Sequence, residues 1–426
     1  MTSPSPESAM TAARVAEAAN SEVLDRFVSA DPVLVDVAPA AEIVPGLDGR
    51  TILTSGAPLP WREYTGGQRN AIIGGALFEG LASDAAEAEA MLAAGEIRIG
   101  ACTAHGCIGS LAGIYTASMP VFVVENRPHG NRAFCNLFEG VSRYRLNYGV
   151  YNQEVRTNLL FLQETIAPTL GEAVRQLGGI ALRPLMTRAL HMSDELHSRN
   201  TAATLLFTRE LFPALLELAS RRPVEVRRTL EYLKASDYFF LRLSMAASKA
   251  TADAAHGVKA SNIVSAMVFS CKDFAIRVSG LGDSWFRGPL PAMYGAKLFE
   301  GFSEADVEFM GGESTINETV GLGGFAQAAA FPLQDYQGGS ADRMVEANLA
   351  MYEITVGEHP DFRIPYLGFR GVPVGIDVHR VVETGITPIL DIGVAGKAGG
   401  QIGAGSFRAP LECFERAAAA YDARYR

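Results

Sequence analysis

The chain has 426 residues, 48% hydrophobic and 20% charged, an ordinary composition for a folded soluble protein and long enough for two or three cores. Its 37 Lys and Arg stand against 47 Asp and Glu, and the net charge of −10 argues against a general nucleic-acid surface. Five scattered cysteines form neither a disulfide framework nor a zinc pattern, which favours a reducing, cytoplasmic setting.

The opening residues "MTSPSPESAMTAARVAEAAN" read as a frayed start and a short helix, without the basic and apolar blocks of a secretory leader. "DPVLVDVAPAAEIV" reads as a strand and turn, "RTILTSGAPL" as a second strand, and residues 66 to 99 as two helices followed by a strand. This alternation is that of an α/β layer architecture. Residues 99 to 124 lack Asp, Glu, Lys and Arg, but their glycines, His105 and Pro120 fit a buried core segment better than a membrane span. From about 153 the apolar period becomes helical, through "EVRTNLLFLQETIAPTLGEAVRQL", "AATLLFTRELFPALLELA" and "RRTLEYLKASDYFFLRLSMAASKATADAA". Strands return after 260, glycine density rises, and a helix closes the chain. The expected plan is therefore α/β, with glycine-rich layers built from an N-terminal part (1–152) and a C-terminal part (259–426), and a mostly helical module (153–258) between them.

Several segments offer chemistry. In "VVENRPHGNRAFCNLFEG" an apolar strand ends in Glu125, and His129, Asn131 and Arg132 follow. His129 and Arg132 could hold an anion beside a proton donor, or Arg132 could simply pair with Glu125 or Glu139. In "MSDELHSRN", helical spacing would put Asp194 with His197 and Glu195 with Arg199, either as a metal-binding pair or as an ion-pair network orienting Arg199 and Asn200. In "RVSGLGDSWF", Arg277 ends a strand and Ser279 opens a turn able to cradle an anion or merely to reverse the chain. "ESTINETVGLGG" presents Asn317 and Glu318 ahead of glycines, as ligand contacts or as a helix cap. "DIGVAGKAGGQIGAG" sets Lys397 and Gln401 among glycines that let backbone approach a ligand, or leave a loose loop. Phosphate-loop, serine-hydrolase and Cys/His metal signatures are absent from the sequence.

Taken together, "TASMPVFVVEN", "HGNRAFCNLFEG", "DELHSRN", "RVSGLGDSWF" and "RVVETGITPILDIGVAGKAGGQIGAG" resemble the YlbE-like (AllG-type) family, over nearly the whole chain. The resemblance implies carbamoyl transfer on a small ureido or oxamate-type anion, with oxalurate and phosphate interconverting with oxamate and carbamoyl phosphate. It also implies companion subunits from the same operon. A homo-oligomer is expected besides, with no cofactor, metal, membrane or nucleic acid. Such chemistry asks for arginines and amide donors at both anionic ends and a histidine to move a proton. The expected assignment gives anion binding to Arg132, Arg277 and Lys397 around one shared cavity. His129 is the expected acid–base group with His197 second, and Asn131 and Asn317 read the amide. A hydrolase or lyase of a ureido or cyclic amide compound, and a non-catalytic scaffold subunit, are the alternatives.

Overall fold

The computed structural model describes residues 6–292 and 296–426. The expected α/β class is what the chain adopts, with helices and strands packed in layers. Five strands form the first sheet, in the spatial order Cys107–Ile108, Asn131–Asn136, Pro120–Asn126, Pro32–Pro39, Ile180–Ala181. All pairings are antiparallel except that of Cys107–Ile108 with Asn131–Asn136. The apolar run before Glu125 is thus a central strand, and residues 127–130 form the hairpin turn to its neighbour. A separate parallel pair, Thr51–Thr54 with Arg98–Ala101, is linked through the helices Gly66–Phe78 and Ala85–Ala94. Among the described residues no helix is long and apolar enough to cross a membrane.

One helix organises the interior. Leu241–Ala254 is buried at every position from Arg242 to Ala252 and lies against the strands Pro120–Asn126 and Asn131–Asn136. Its sequence explains this: Ser244, Ala246, Ala247, Ser248, Ala250 and Ala252 give small side chains on every face, so neighbours can close on it all round. The helices of residues 153–254 share one apolar core with this sheet, centred on Phe122, Phe207, Phe239 and Phe240. The Phe239 ring meets Phe122 edge-on at 5.6 Å and stacks on Phe207 at 5.5 Å. A π turn at Leu162–Ile166 precedes Pro168, which has no N–H to continue an ordinary helical ladder.

The C-terminal part has its own core around Met267, Phe274, Phe325 and Phe414. It carries an antiparallel meander, Val264–Phe269, Phe274–Val278, Trp285–Gly288, and a four-stranded sheet centred on the hairpin Ile389–Gly396 with Gln401–Arg408. Loops from both parts meet at the N-terminal end of Leu241–Ala254, and that junction leaves a hollow.

Candidate active site

A cavity of 570 Å³ opens where the chain after strand Asn131–Asn136, the start of the central helix, the loop 194–200 and the C-terminal hairpin converge. Arg143, Arg145 and Asn147 come from the first of these, Tyr238 and Arg242 from the second, His197 and Ser198 from the third, and Gly393 and Gln401 from the fourth. Tyr336, Phe299, Phe309 and Met310 complete the wall.

The loop carrying His197 is not helical, contrary to the spacing argument for "MSDELHSRN". It joins the helices Leu182–Leu190 and Thr201–Leu218, and Ser193 (φ 70°) and Leu196 (φ 71°) take left-handed backbone that a helix cannot accommodate. Its carboxylates compensate by replacing helical acceptors. Buried Glu195 accepts from the backbone N–H of His197, Ser198 and Arg199, and Asp194 accepts from Ala203 N–H at 2.8 Å and from the Arg199 guanidinium. Asp194 and His197 therefore face different partners and do not form the metal-binding pair that helical spacing suggests. Among the described residues no three metal-ligating side chains come together. Asn200 donates to His197 C=O, and Asn317 Nδ2 donates to Leu196 C=O at 2.9 Å, so both brace the loop.

His197 Nδ1 lies 2.7 Å from Glu318 Oε1. A carboxylate can only accept there, so Nδ1 carries the proton and Nε2 is the ring atom left to exchange one with a ligand. Burial lowers the imidazole's proton affinity, but Glu318, with help from Asp391, outweighs it and leaves the pKa above its ordinary value of 6.5. Glu318 Oε1 is itself fixed by the N–H groups of Gly324 and Asp391, each at 3.0 Å. Burial and neighbouring Glu318 raise Asp391 to about 6, and burial and Asp391 push Glu195 up strongly.

Gly323 is what permits this close approach. It has φ +56°, and a Cβ there would stand 2.2 Å from Glu318 Oε1 and 3.0 Å from His197 Cβ. Gly323→Ala is expected to swing Glu318 off the imidazole. The signature is a fall in catalytic rate together with a lowered His197 pKa, readable as a shifted imidazole titration in NMR; an unmoved titration would contradict the arrangement.

The cavity wall is also cationic. Arg242 is 4% exposed, donates through one guanidinium nitrogen to Asn136 Oδ1 at 2.9 Å, and has a buried Nε with no acceptor. Arg145 lies 5.1 Å from the ring centres of both Phe138 and Tyr148 and donates to Ser142 C=O. Arg143 sits at the mouth over Tyr144. Among the described residues none of the three is in a salt bridge, although Arg26, Arg132, Arg175 and others are. Burial keeps the phenols of Tyr148, Tyr238 and Tyr336 protonated, the last with a pKa of about 12. Gln401 joins two of them, donating to Tyr336 Oη and accepting from Tyr148.

The expected trio of Arg132, Arg277 and Lys397 does not share this hollow, and that expectation is corrected. Arg132 pairs with Glu125, its cross-strand neighbour, at 2.9 Å on an exposed hairpin. His129 lies exposed in the same hairpin turn, 3.2 Å from Ser29 Oγ. Asn131 donates to Ala250 C=O and so ties the hairpin to the central helix. Arg277 is bound to Asp253, beside buried Lys249, in a separate ion-pair network, and Ser279 bridges Ala255 C=O and Val258 N–H. Lys397 is exposed in the hairpin turn and donates to Ala305 C=O. Each makes its polar contacts with protein groups away from the cavity, although Asn131 Oδ1 and Arg277 Nε are buried without a partner. Of the residues singled out, His197 and Gln401 line the cavity, Glu318 orients His197, and Asn317, Asn200 and Arg199 shape its loop.

Glu313, beside the cavity-lining Ser314, clamps two loops by accepting from Gly56 N–H at 3.0 Å and Gly109 N–H at 2.9 Å. Burial raises its pKa from 4.5 to about 8 despite those two bonds. The native state therefore keeps a proton that the unfolded chain has lost between those limits, and this contribution to stability declines as pH rises from about 4.5 to about 8. Urea unfolding across that range should show the slope, and Glu313→Gln should flatten it; an unchanged slope would contradict the assignment.

Comparison with known proteins agrees with this architecture. The family described as "Oxamate carbamoyltransferase subunit AllG" matches residues 97–314, which include Arg143, Arg145, His197 and Arg242. The oxamate carbamoyltransferase subunit AllG of Escherichia coli K12 is 39% identical over 404 residues, covering 94% of this chain and 96% of its own. The chain belongs to the AllG family. The uncharacterized protein YahG of the same organism is also 39% identical, over 410 residues, covering 96% of this chain and 86% of its own. A crystal structure of a conserved protein of unknown function from Enterococcus faecalis V583 superposes with a TM-score of 0.93 at 36% identity, over 96% of this chain and 98% of that one.

Proposed function

We propose that this chain is a carbamoyltransferase subunit that works with companion subunits and holds the reacting anions in the 570 Å³ cavity, with His197 as general acid–base and Glu318 as its orienting partner. The observation that carries the reading is the convergence of Arg143, Arg145 and buried Arg242, whose Nε has no acceptor, on the wall of a cavity that also holds a carboxylate-oriented histidine. Buried guanidinium N–H groups ordinarily find acceptors, and Arg242 Nε, left without one on a wall that also carries Arg145 and Arg143, favours an anionic ligand. Family membership supports the chemical class, carbamoyl transfer involving oxamate, and the reaction we assign to it is oxalurate and phosphate exchanging with oxamate and carbamoyl phosphate. A concave, largely apolar cavity with a few convergent charged groups also weighs against a purely scaffolding role, for which a flat apolar face is the expected signature.

The test is turnover by the chain assembled with its companion subunits. Oxalurate consumption is expected to require phosphate and to yield carbamoyl phosphate and oxamate in equal amounts. Oxalurate breakdown without phosphate, releasing ammonia or carbamate, would favour hydrolysis at the same cavity instead.

A further inference from the structure

Resting on that reading, we infer that the cavity has two poles occupied at the same time, an oxyanion subsite at Arg145 and Arg242 and an amide subsite at His197 and Ser198, so that the carbamoyl group passes directly between two bound substrates. Three observations carry this.

The first is size. At about 30 Å³ per non-hydrogen atom, the share a water takes in the liquid, oxamate with six such atoms fills roughly 180 Å³ and carbamoyl phosphate with eight roughly 240 Å³. Either alone leaves more than half of the 570 Å³ empty, whereas both together fit.

The second is electrostatic. Arg145 lies against the Phe138 and Tyr148 rings and Arg242 donates to Asn136, and their positive field offsets part of the rise in proton affinity that burial imposes on Glu139, Tyr148 and Tyr232. His197 instead answers to Glu318 and Asp391, with no arginine contributing to its shift. The two ends therefore lie in separate surroundings, one suited to a multiply charged tetrahedral oxyanion and the other to a group that gives or takes a single proton.

The third is chemical. Ser198 is the hydroxyl beside His197 at the cavity wall, and the Cys102, Cys107 and Cys135 thiols are pushed up by burial and lie outside it. In direct transfer the oxamate nitrogen attacks the carbonyl carbon of carbamoyl phosphate, the new C–N bond forms as the C–O bond to phosphorus breaks, phosphate departs with the electron pair, and the nitrogen's proton goes to His197 Nε2 and on to phosphate. Neither an enzyme-bound carbamoyl group nor a further reactant is needed. The reverse sequence cleaves oxalurate.

The experiment is calorimetric titration of the purified chain with inorganic phosphate and with oxamate, each alone and each with the other saturating. Both are expected to bind, and each affinity should change less than about threefold, or tighten, when the other is present. Arg145→Met, and separately Arg145→Lys, should weaken phosphate at least tenfold while leaving oxamate within twofold, with unchanged circular dichroism. An apparent oxamate Kd that rises in proportion to phosphate, or equal weakening of both ligands by Arg145→Met, would overturn the two-pole arrangement while leaving the cavity as the binding site. If neither anion binds, the functional reading of the cavity falls with it.

Discussion

Replacing His197 by Asn should lower turnover of the assembled enzyme by about 10²–10⁴, the usual worth of a positioned general acid–base group, without unfolding the chain. Asn can keep a donor towards Glu318 and so preserve the loop held by Glu195 and Asn200, but it cannot carry a proton between substrates. The pH dependence separates this role from a structural one. In the direction that forms oxalurate, His197 must begin neutral, so the rate should rise with pH through a pKa above 6.5. Glu318→Gln removes the charge that holds that pKa up, and the rising limb should move to lower pH. The linked stability runs the other way: the Glu318–imidazolium contact contributes fully below 6.5 and is lost as pH rises through the higher native pKa. A limb that stays in place in Glu318→Gln would mean that another group sets it.

Arg242→Met should weaken phosphate binding by about 10- to 150-fold, corresponding to the roughly 1.5–3 kcal/mol of a charge-assisted hydrogen bond, and should not lower the melting temperature. Arg242 is buried on the first turn of the central helix, where a positive charge opposes the helix dipole, and it has no carboxylate within ion-pair distance. A folded chain gains little from a desolvated guanidinium bonded only to Asn136, and an apolar side chain of similar length fills the same space. Stability held or improved while affinity falls is the trade expected of a site residue. A collapse of the fold with loss of secondary structure would instead make Arg242 a core element.

Much of the fold was legible because its signals are periodic. The apolar strand before Glu125 and the helical run from residue 153 both appear as read, because burial imposes the periods that sequence displays. The "DELHSRN" loop defeated spacing arguments because its conformation is held by Glu195 and Asp194 accepting main-chain N–H groups, a tertiary arrangement that leaves carboxylates three and four residues from basic partners just as a helix would. The arginines were misplaced for a related reason. Arg132 and Arg277 stand in conspicuous motifs, but hairpin register and the Lys249–Asp253 pair supply their partners. Arg143 and Arg145 follow the quoted "HGNRAFCNLFEG" by only a few residues, and Arg242 is the lone charge in the apolar run "YFFLRLSMAAS". That last pattern, one cation in an otherwise uncharged buried helix start, was the available signal; only the packing of the helix end against the loop 137–148 and the C-terminal hairpin turns it into a site.

The most direct test is a crystal structure of the chain grown with phosphate and oxamate together. A tetrahedral oxyanion within hydrogen-bond distance of Arg145 and Arg242, and a planar amide beside His197 Nε2, in the one cavity, is the expected result. Ligand density seated instead at Arg132, Arg277 or Lys397, with the cavity holding only water, would contradict it.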